Sequence, residues 1–194
     1  MIVLGVTGSI GSGKSYFCKK FSAKKGVKFV SSDTMVHDLY AHNNQVLEFI
    51  KHNFTEALIE NKIDRKMLGK IVFNDKKRRK ILENFIYPLL KKKRKKQMDI
   101  YRRNGLKILV LEIPLLFENE LQEECDYTLT VFCNKFIQEQ RALKRAGFTR
   151  ENFMRVLATQ MNVQKKIRLS DFSVNSGRNI SGRLNDIYFQ LISK

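Results

Sequence analysis

The chain has 194 residues, 43% of them hydrophobic, enough for one sizeable core with room for a small appended subdomain. No apolar run approaches the roughly 18 residues that a membrane span needs, and the three cysteines form an odd set with no paired metal-ligand spacing. The formal net charge is +18, which suits anionic partners: nucleotides, polyphosphates or nucleic acid.

Met1-Ile2-Val3-Leu4-Gly5-Val6 reads as a buried strand. It lacks a basic leader and runs directly into a glycine loop, so it is not read as a signal peptide. That loop, Gly8-Ser9-Ile10-Gly11-Ser12-Gly13-Lys14-Ser15, fits the phosphate-binding pattern G-x-x-x-x-G-K-[ST]. Tyr16-Phe17-Cys18-Lys19-Lys20-Phe21 can start a helix behind it. In this context the glycines let backbone N–H groups converge on phosphate oxygens, and the helix N-terminus adds partial positive charge. Lys14 is expected to reach the β- and γ-phosphates and the Ser15 hydroxyl to ligate Mg²⁺. Cys18, Cys125 and Cys133 read as reduced, mostly buried thiols of a soluble cytoplasmic protein.

A second strand is expected at Val27-Lys28-Phe29-Val30. Asp33, the first acidic residue after the loop, follows its C-terminal end, the edge where ligands bind in parallel sheets. It reads either as the carboxylate that takes a proton from an acceptor hydroxyl or as the N-cap of the next helix. His37 lies four residues on and can share that side of the crevice, or serve structure alone. Residues 34–104 read as a mostly helical excursion, with Leu39, Val46, Phe49 and Ile50 making one stripe. Two basic runs, 76–80 and 91–96, read as solvated helix faces or as surfaces for an anionic partner.

The third strand, Lys107-Ile108-Leu109-Val110-Leu111, ends at Glu112, a position from which a carboxylate orients Mg²⁺ or its water shell. Pro114 turns the chain into a loop that carries Glu118. Tyr127–Phe132 is a fourth strand, and Asn134-Lys135-Phe136-Ile137 follows it with Ile where a guanine-reading N-K-x-D places Asp. A GTP switch is thereby disfavoured. Residues 136–168 read as helical, and the i to i+4 spacing of Arg141 and Arg145 puts two guanidiniums on one face, a lid over a triphosphate or a solvated basic face. A weaker strand at Phe172-Ser173-Val174 and a closing amphipathic helix over 184–192 complete the chain. Apolar runs separated by helical segments predict an α/β fold with a parallel sheet and crossover helices.

The set of motifs resembles the dephospho-CoA kinase family, the ATP-dependent enzymes of the last step of coenzyme A synthesis. Thr7 through Ser15 is similar to that family's T-G-G-I-G-S-G-K-S loop, and Asp33 falls on the second Asp of its D-A-D motif. Arg65 and Leu68 match R-x-x-L, Tyr87-Pro88 matches H-P with Tyr for His, and Pro114-Leu115-Leu116-Phe117-Glu118 matches P-L-L-F-E. Gln138 through Arg145 matches Q-x-x-R-x-x-x-R, Arg155 and Gln160 match R-x-x-x-x-Q, and Asn175-Ser176-Gly177 matches N-x-G. Ser31 and Ser32 replace the first Asp and the Ala of D-A-D, Tyr16 replaces a small Ser/Thr, and the segment before Asn175 is one residue short.

The resemblance implies a P-loop nucleoside-triphosphate-hydrolase-type fold in three parts. A core over about 1–33, 105–135 and 169–194 carries ATP, a helical subdomain over about 34–104 holds the acceptor, and a helical lid covers about 136–168. It implies transfer of the γ-phosphoryl group to the ribose 3′-hydroxyl of dephospho-CoA, with Asp33, Lys14 and Arg141 catalytic. Gly8, Gly11, Ser12, Gly13, Lys14, Ser15, Tyr16 and Asn175 are expected to hold the nucleotide. Thr7, Asp33, His37, Arg65, Pro114 and Leu115 are expected to hold the acceptor, and Ser15 and Glu112 the Mg²⁺. The alternative, resting on charge alone, is a nucleic-acid-binding ATPase or a kinase of nucleic-acid ends; no aromatic platform interrupts the 91–96 run, which weighs against it.

Overall fold

Strands that are apolar nearly throughout need cover on both faces, and a parallel sheet with crossover helices supplies it. The computed structural model describes residues 1–193. In chain order it runs β1 (Ile2–Thr7), α1 (Lys14–Phe21), β2 (Val27–Ser31), α2 (Ser32–His42), α3 (Asn44–Asn53), a 3₁₀ turn (Thr55–Ala57), β3 (Leu58–Ile59), β4 (Lys62–Ile63), α4 (Arg65–Asn74) and α5 (Lys76–Arg103). There follow β5 (Ile108–Glu112), a second 3₁₀ turn (Leu121–Glu124), β6 (Tyr127–Phe132), α6 (Lys135–Leu143), α7 (Arg150–Ala158), α8 (Val163–Leu169), β7 (Phe172–Asn175) and α9 (Ser181–Ile192).

Five strands form one parallel sheet in the order β2-β5-β1-β6-β7. All five expected strands are present within a residue or two of the predicted bounds. The register sets Glu112 beside both Val6 and Ser31, so β1, β2 and β5 finish level at one edge. Alternation decides the layers. Leu4, Val6, Ile108, Val110, Leu129, Val131 and Val174 pack with Phe17, Cys18 and Phe21 of α1 and Leu184, Ile187 and Leu191 of α9. The intervening Val3, Leu109 and Leu111 are buried as well. Gly5 in β1 is a close approach: a Cβ there would lie 2.6 Å from Cys125 Sγ. All three cysteines are free, and burial pushes the Cys18 thiol well above its usual range.

Backbone contacts divide the chain into two compact units, one of residues 1–31 with the chain from Tyr101 onward, the other Ser32–Ile100. The second unit is helical as expected, but it also contains the antiparallel β3–β4 hairpin, which the sequence reading overlooked. The hairpin turns through Glu60 and Asn61, both at positive φ. A two-residue turn of this hand favours Asn and Gly, and Glu at its first position hides the signal. Helix starts are conventional: Asn43, Asp64, Asn134, Thr149 and Asn162 each accept a backbone N–H with the side chain.

Phe17 is fully buried and stacks on Phe21 with ring centroids 5.5 Å apart. Truncation of Phe17 to Ala is expected to cost about 3–5 kcal/mol, read from urea unfolding at constant m-value.

Candidate active site

The loop between β1 and α1 is shaped by positive φ at Gly8 (147°), Gly11 (72°) and Gly13 (87°). Two of these glycines also lack room for a side chain. A Cβ on Gly8 would lie 2.1 Å from the Val131 carbonyl oxygen, and one on Gly11 would lie 2.2 Å from that of Gln138. The loop is thus threaded between the end of β6 and helix α6. Ser12 N–H donates to Ser9 O (3.1 Å), and Lys14 Nζ folds back to donate to the same carbonyl (3.0 Å).

Ser15, in the first turn of α1, donates through Oγ to Glu112 Oε1 at 2.7 Å. The two residues predicted as metal ligands are thereby joined across 97 residues of sequence. Glu112 is buried at the end of β5. A hydroxyl and a carboxylate are hard oxygen donors, which fit Mg²⁺. Among the described residues there is no cluster of three or more His, Cys, Asp or Glu able to cage a metal.

Arg141 is brought to the crest of the loop. Its Nη1 donates to Ser176 Oγ (2.8 Å) and Nη2 to Ser176 O (3.0 Å), while Ser176 Oγ donates to Ser12 O (2.5 Å). A Cβ on Gly13 would lie 3.1 Å from Arg141 Nη1. Arg145 does not share the helix face predicted for it. Helix α6 ends at Leu143, and the chain bends through Gly147 at positive φ before Thr149 caps α7. The predicted helical stretch 136–168 is therefore three short helices.

Asn175 ends β7 and holds the following turn through Oδ1, which accepts Gly177 N–H at 2.9 Å. Tyr16 stands 56% exposed on α1, with Lys20 Nζ 5.9 Å from its ring centroid. Asn134, the Asn of the broken guanine motif, caps α6 by accepting from Phe136 N–H.

Below the loop, Thr7 is fully buried and its hydroxyl donates to Pro114 O at 3.1 Å. Lys166 of α8 points into the same place. Its fully buried ammonium donates to Pro114 O (2.9 Å), pairs with Glu118 Oε1 (2.9 Å) and reaches Thr7 Oγ1 (3.4 Å). Burial pulls its proton affinity down, partly offset by Glu118. Glu118 Oε1 also accepts Met161 N–H (2.7 Å), and Gln160 Oε1 accepts Ile10 N–H from the loop (2.9 Å). Sequence reasoning passed over Lys166 and Ser176. Lys165, Lys166 and Arg168 look alike in a basic helix, and only depth separates them.

In the second unit, Asp33 lies two residues beyond the end of β2, exposed in the first turn of α2. Its carboxylate makes no hydrogen bond or ion pair among the described residues. Arg65 Nη1 donates to His37 Nδ1, and both line a cavity of about 380 Å³ with Tyr40, Leu47, Asn61 and Lys62. Burial pushes the Tyr40 hydroxyl up to about 12. Asp38, on the same helix as His37, pairs with Lys93 of α5.

Comparison with known proteins finds one family over most of the chain. The family model described as Dephospho-CoA kinase matches residues 2–181. A dephospho-CoA kinase of Bartonella quintana (strain Toulouse) is 34% identical over 188 residues, covering 97% of this chain and 95% of the relative. One of Mesorhizobium japonicum is 37% identical over 180 residues, covering 93% and 90%. Among solved structures, TT1252 from Thermus thermophilus superposes with a TM-score of 0.82 at 28% identity, covering 99% of this chain and 96% of that one. Dephospho-CoA kinase from Campylobacter jejuni gives 0.64 at 28% identity, covering 97% and 96%. Shikimate kinase from Bacteroides thetaiotaomicron, at 0.51 and 11% identity with 100% of this chain and 99% of that one covered, shares the fold.

Gly11→Ala forces a Cβ against the Gln138 carbonyl in a left-handed backbone. The variant is expected to lose about 1–3 kcal/mol of stability, with nucleotide affinity falling alongside, read by thermal melting with and without an ATP analogue.

Proposed function

The chain belongs to the dephospho-CoA kinase family, and from that premise we propose which of its residues carry the reaction. The enzyme transfers a phosphoryl group from ATP to dephospho-CoA, the final step of coenzyme A biosynthesis. The 3′-hydroxyl oxygen of the acceptor ribose forms a bond to the γ-phosphorus as the bond from that phosphorus to the β–γ bridging oxygen breaks, and ADP leaves.

Asp33 takes the hydroxyl proton. Charge spreads over the transferring phosphoryl oxygens, and fixed cations stabilise it there. Lys14 and Arg141 supply them, Arg141 held by Ser176 at the crest of the loop. The backbone N–H groups of Gly8, Gly11, Ser12 and Gly13 cradle the phosphates. Asn175 and Tyr16 flank the nucleoside side. Ser15 and Glu112 hold Mg²⁺, which when bound neutralises charge on the β- and γ-phosphate oxygens.

Residues 34–104 serve as the acceptor subdomain, with His37 and Arg65 facing the anionic acceptor from their cavity. Thr7, Pro114 and Leu115 contribute shape more than hydrogen bonds, since Thr7 and Pro114 spend their polar groups on each other. Residues 136–168 serve as the lid around Arg141. Three free cysteines fit a reducing cytoplasm. The observation that carries the reading is the 2.7 Å bond between Ser15 and Glu112, two motifs distant in sequence meeting beside the phosphate loop.

Asp33→Asn is expected to lower turnover of dephospho-CoA by about 10²- to 10⁴-fold with ATP affinity unchanged; near-normal turnover removes Asp33 from the role of base. Glu112→Gln is expected to raise the Mg²⁺ concentration for half-maximal turnover by roughly 10- to 100-fold. An unshifted Mg²⁺ titration takes Glu112 out of the metal site.

A further inference from the structure

A serine hydroxyl has one proton to donate and two lone pairs that accept. At Ser176 both kinds are in use. Its Oγ donates to Ser12 O at 2.5 Å, which leaves a lone pair for Arg141 Nη1 at 2.8 Å. Its carbonyl oxygen accepts from Nη2 of the same guanidinium at 3.0 Å. The backbone of Ser176 is fixed from the sheet. Its N–H donates to Phe132 O at 2.8 Å, and Asn175 before it stands in register with Phe132. Ser176 is buried, so little water competes for these bonds.

The arginine is otherwise lightly held. Its guanidinium makes no ion pair among the described residues. The Cys133 thiol is a further neighbour, and burial pushes its proton affinity up, which leaves it a neutral, weak acceptor. A long side chain with several rotatable bonds loses entropy when one placement is imposed on it. Two bonds from one fixed residue impose that placement before any phosphate arrives. A guanidinium has five N–H groups, so others remain for phosphate oxygens.

We propose that Ser176 is the positioning residue of Arg141: anchored to β6 and to the phosphate loop, it presets the guanidinium at the crest of the loop, so that the cation is in place when phosphoryl transfer begins. The inference rests on Arg141 acting at the transferring group. The same hydroxyl also ties the Ser12 carbonyl, and a double-mutant cycle separates the two bonds.

Wild type, Ser176→Ala, Arg141→Ala and the double variant are compared by melting temperature, affinity for an ATP analogue and kcat with dephospho-CoA. Ser176→Ala keeps the backbone carbonyl and removes one charge-assisted bond to Arg141. Its kcat is expected to fall about 10- to 100-fold, by more than the analogue affinity falls. In the Arg141→Ala background the same substitution is expected to change kcat by less than about twofold, because the group it positions is gone. The Ser12 carbonyl loses its donor in both backgrounds, so any shift in melting temperature is expected to be the same in each. A serine that serves only the loop gives a different pattern: affinity and kcat fall together, and kcat falls as much without Arg141 as with it. That pattern overturns the proposal, as does a Ser176→Ala protein that does not fold. Arg141→Ala with wild-type turnover removes Arg141 from the reaction and the inference with it. A slow Arg141→Ala protein on which Ser176→Ala still acts overturns the inference and leaves the kinase reading intact.

Discussion

The backbone of the phosphate loop has to pass where no side chain fits. Gly8 runs against the Val131 carbonyl at the end of β6, and Gly11 against the Gln138 carbonyl of α6. These two approaches tie the loop to the sheet edge on one side and to the arginine-bearing helix on the other. Arg141 reaches the crest of the loop because α6 is seated on it, and Ser15 reaches Glu112 because α1 starts where the loop releases the chain. Glycine here serves packing as much as conformation. Strand order, loop path and the placement of the cationic side chain are thereby tied together.

Much of this was legible from the residues. Apolar runs of strand length marked all five sheet strands, and the glycine pattern marked the loop. Ser15 and Glu112 share one expected role, as oxygen ligands of an ion, and the structure joins them by a hydrogen bond; charge and spacing marked Arg141 and Arg145 alike, and the family resemblance chose Arg141. What stayed hidden has a physical pattern. The β3–β4 hairpin turns on Glu60 and Asn61, a pair without the usual glycine. Arg145 shares the spacing of a helix face but lies past the end of α6, where Gly147 breaks the run. Lys166 carries the same letter as many exposed lysines, and its role depends on depth, which one-dimensional spacing cannot express. Ser176 is a small hydroxyl whose importance comes from its neighbours alone.

The excess positive charge is unevenly distributed. Helix α5 alone carries thirteen Lys or Arg residues against two acidic ones. Some are absorbed locally: Arg78 pairs with Glu56 and lies over Phe54, Arg79 pairs with Glu83, and Lys93 pairs with Asp38. Most of the rest are exposed, and exposed pairs contribute little to stability. Their collective field is another matter. ATP and dephospho-CoA are both polyanions, and a strongly positive protein raises their local concentration before any contact forms.

The contact between Gly5 and Cys125 has a consequence for how such a chain can change. The space at that point of the sheet is a single small volume filled from two distant stretches of sequence. A methyl group added on the strand has to be matched by atoms removed from the thiol side, since packed interiors accept little extra volume. A side chain is gained at Gly5 only as the thiol gives way, whereas Cys125 can become smaller by itself. Across descendants of this fold a larger residue at the strand position would come with a smaller one at the thiol position, although neither takes part in chemistry.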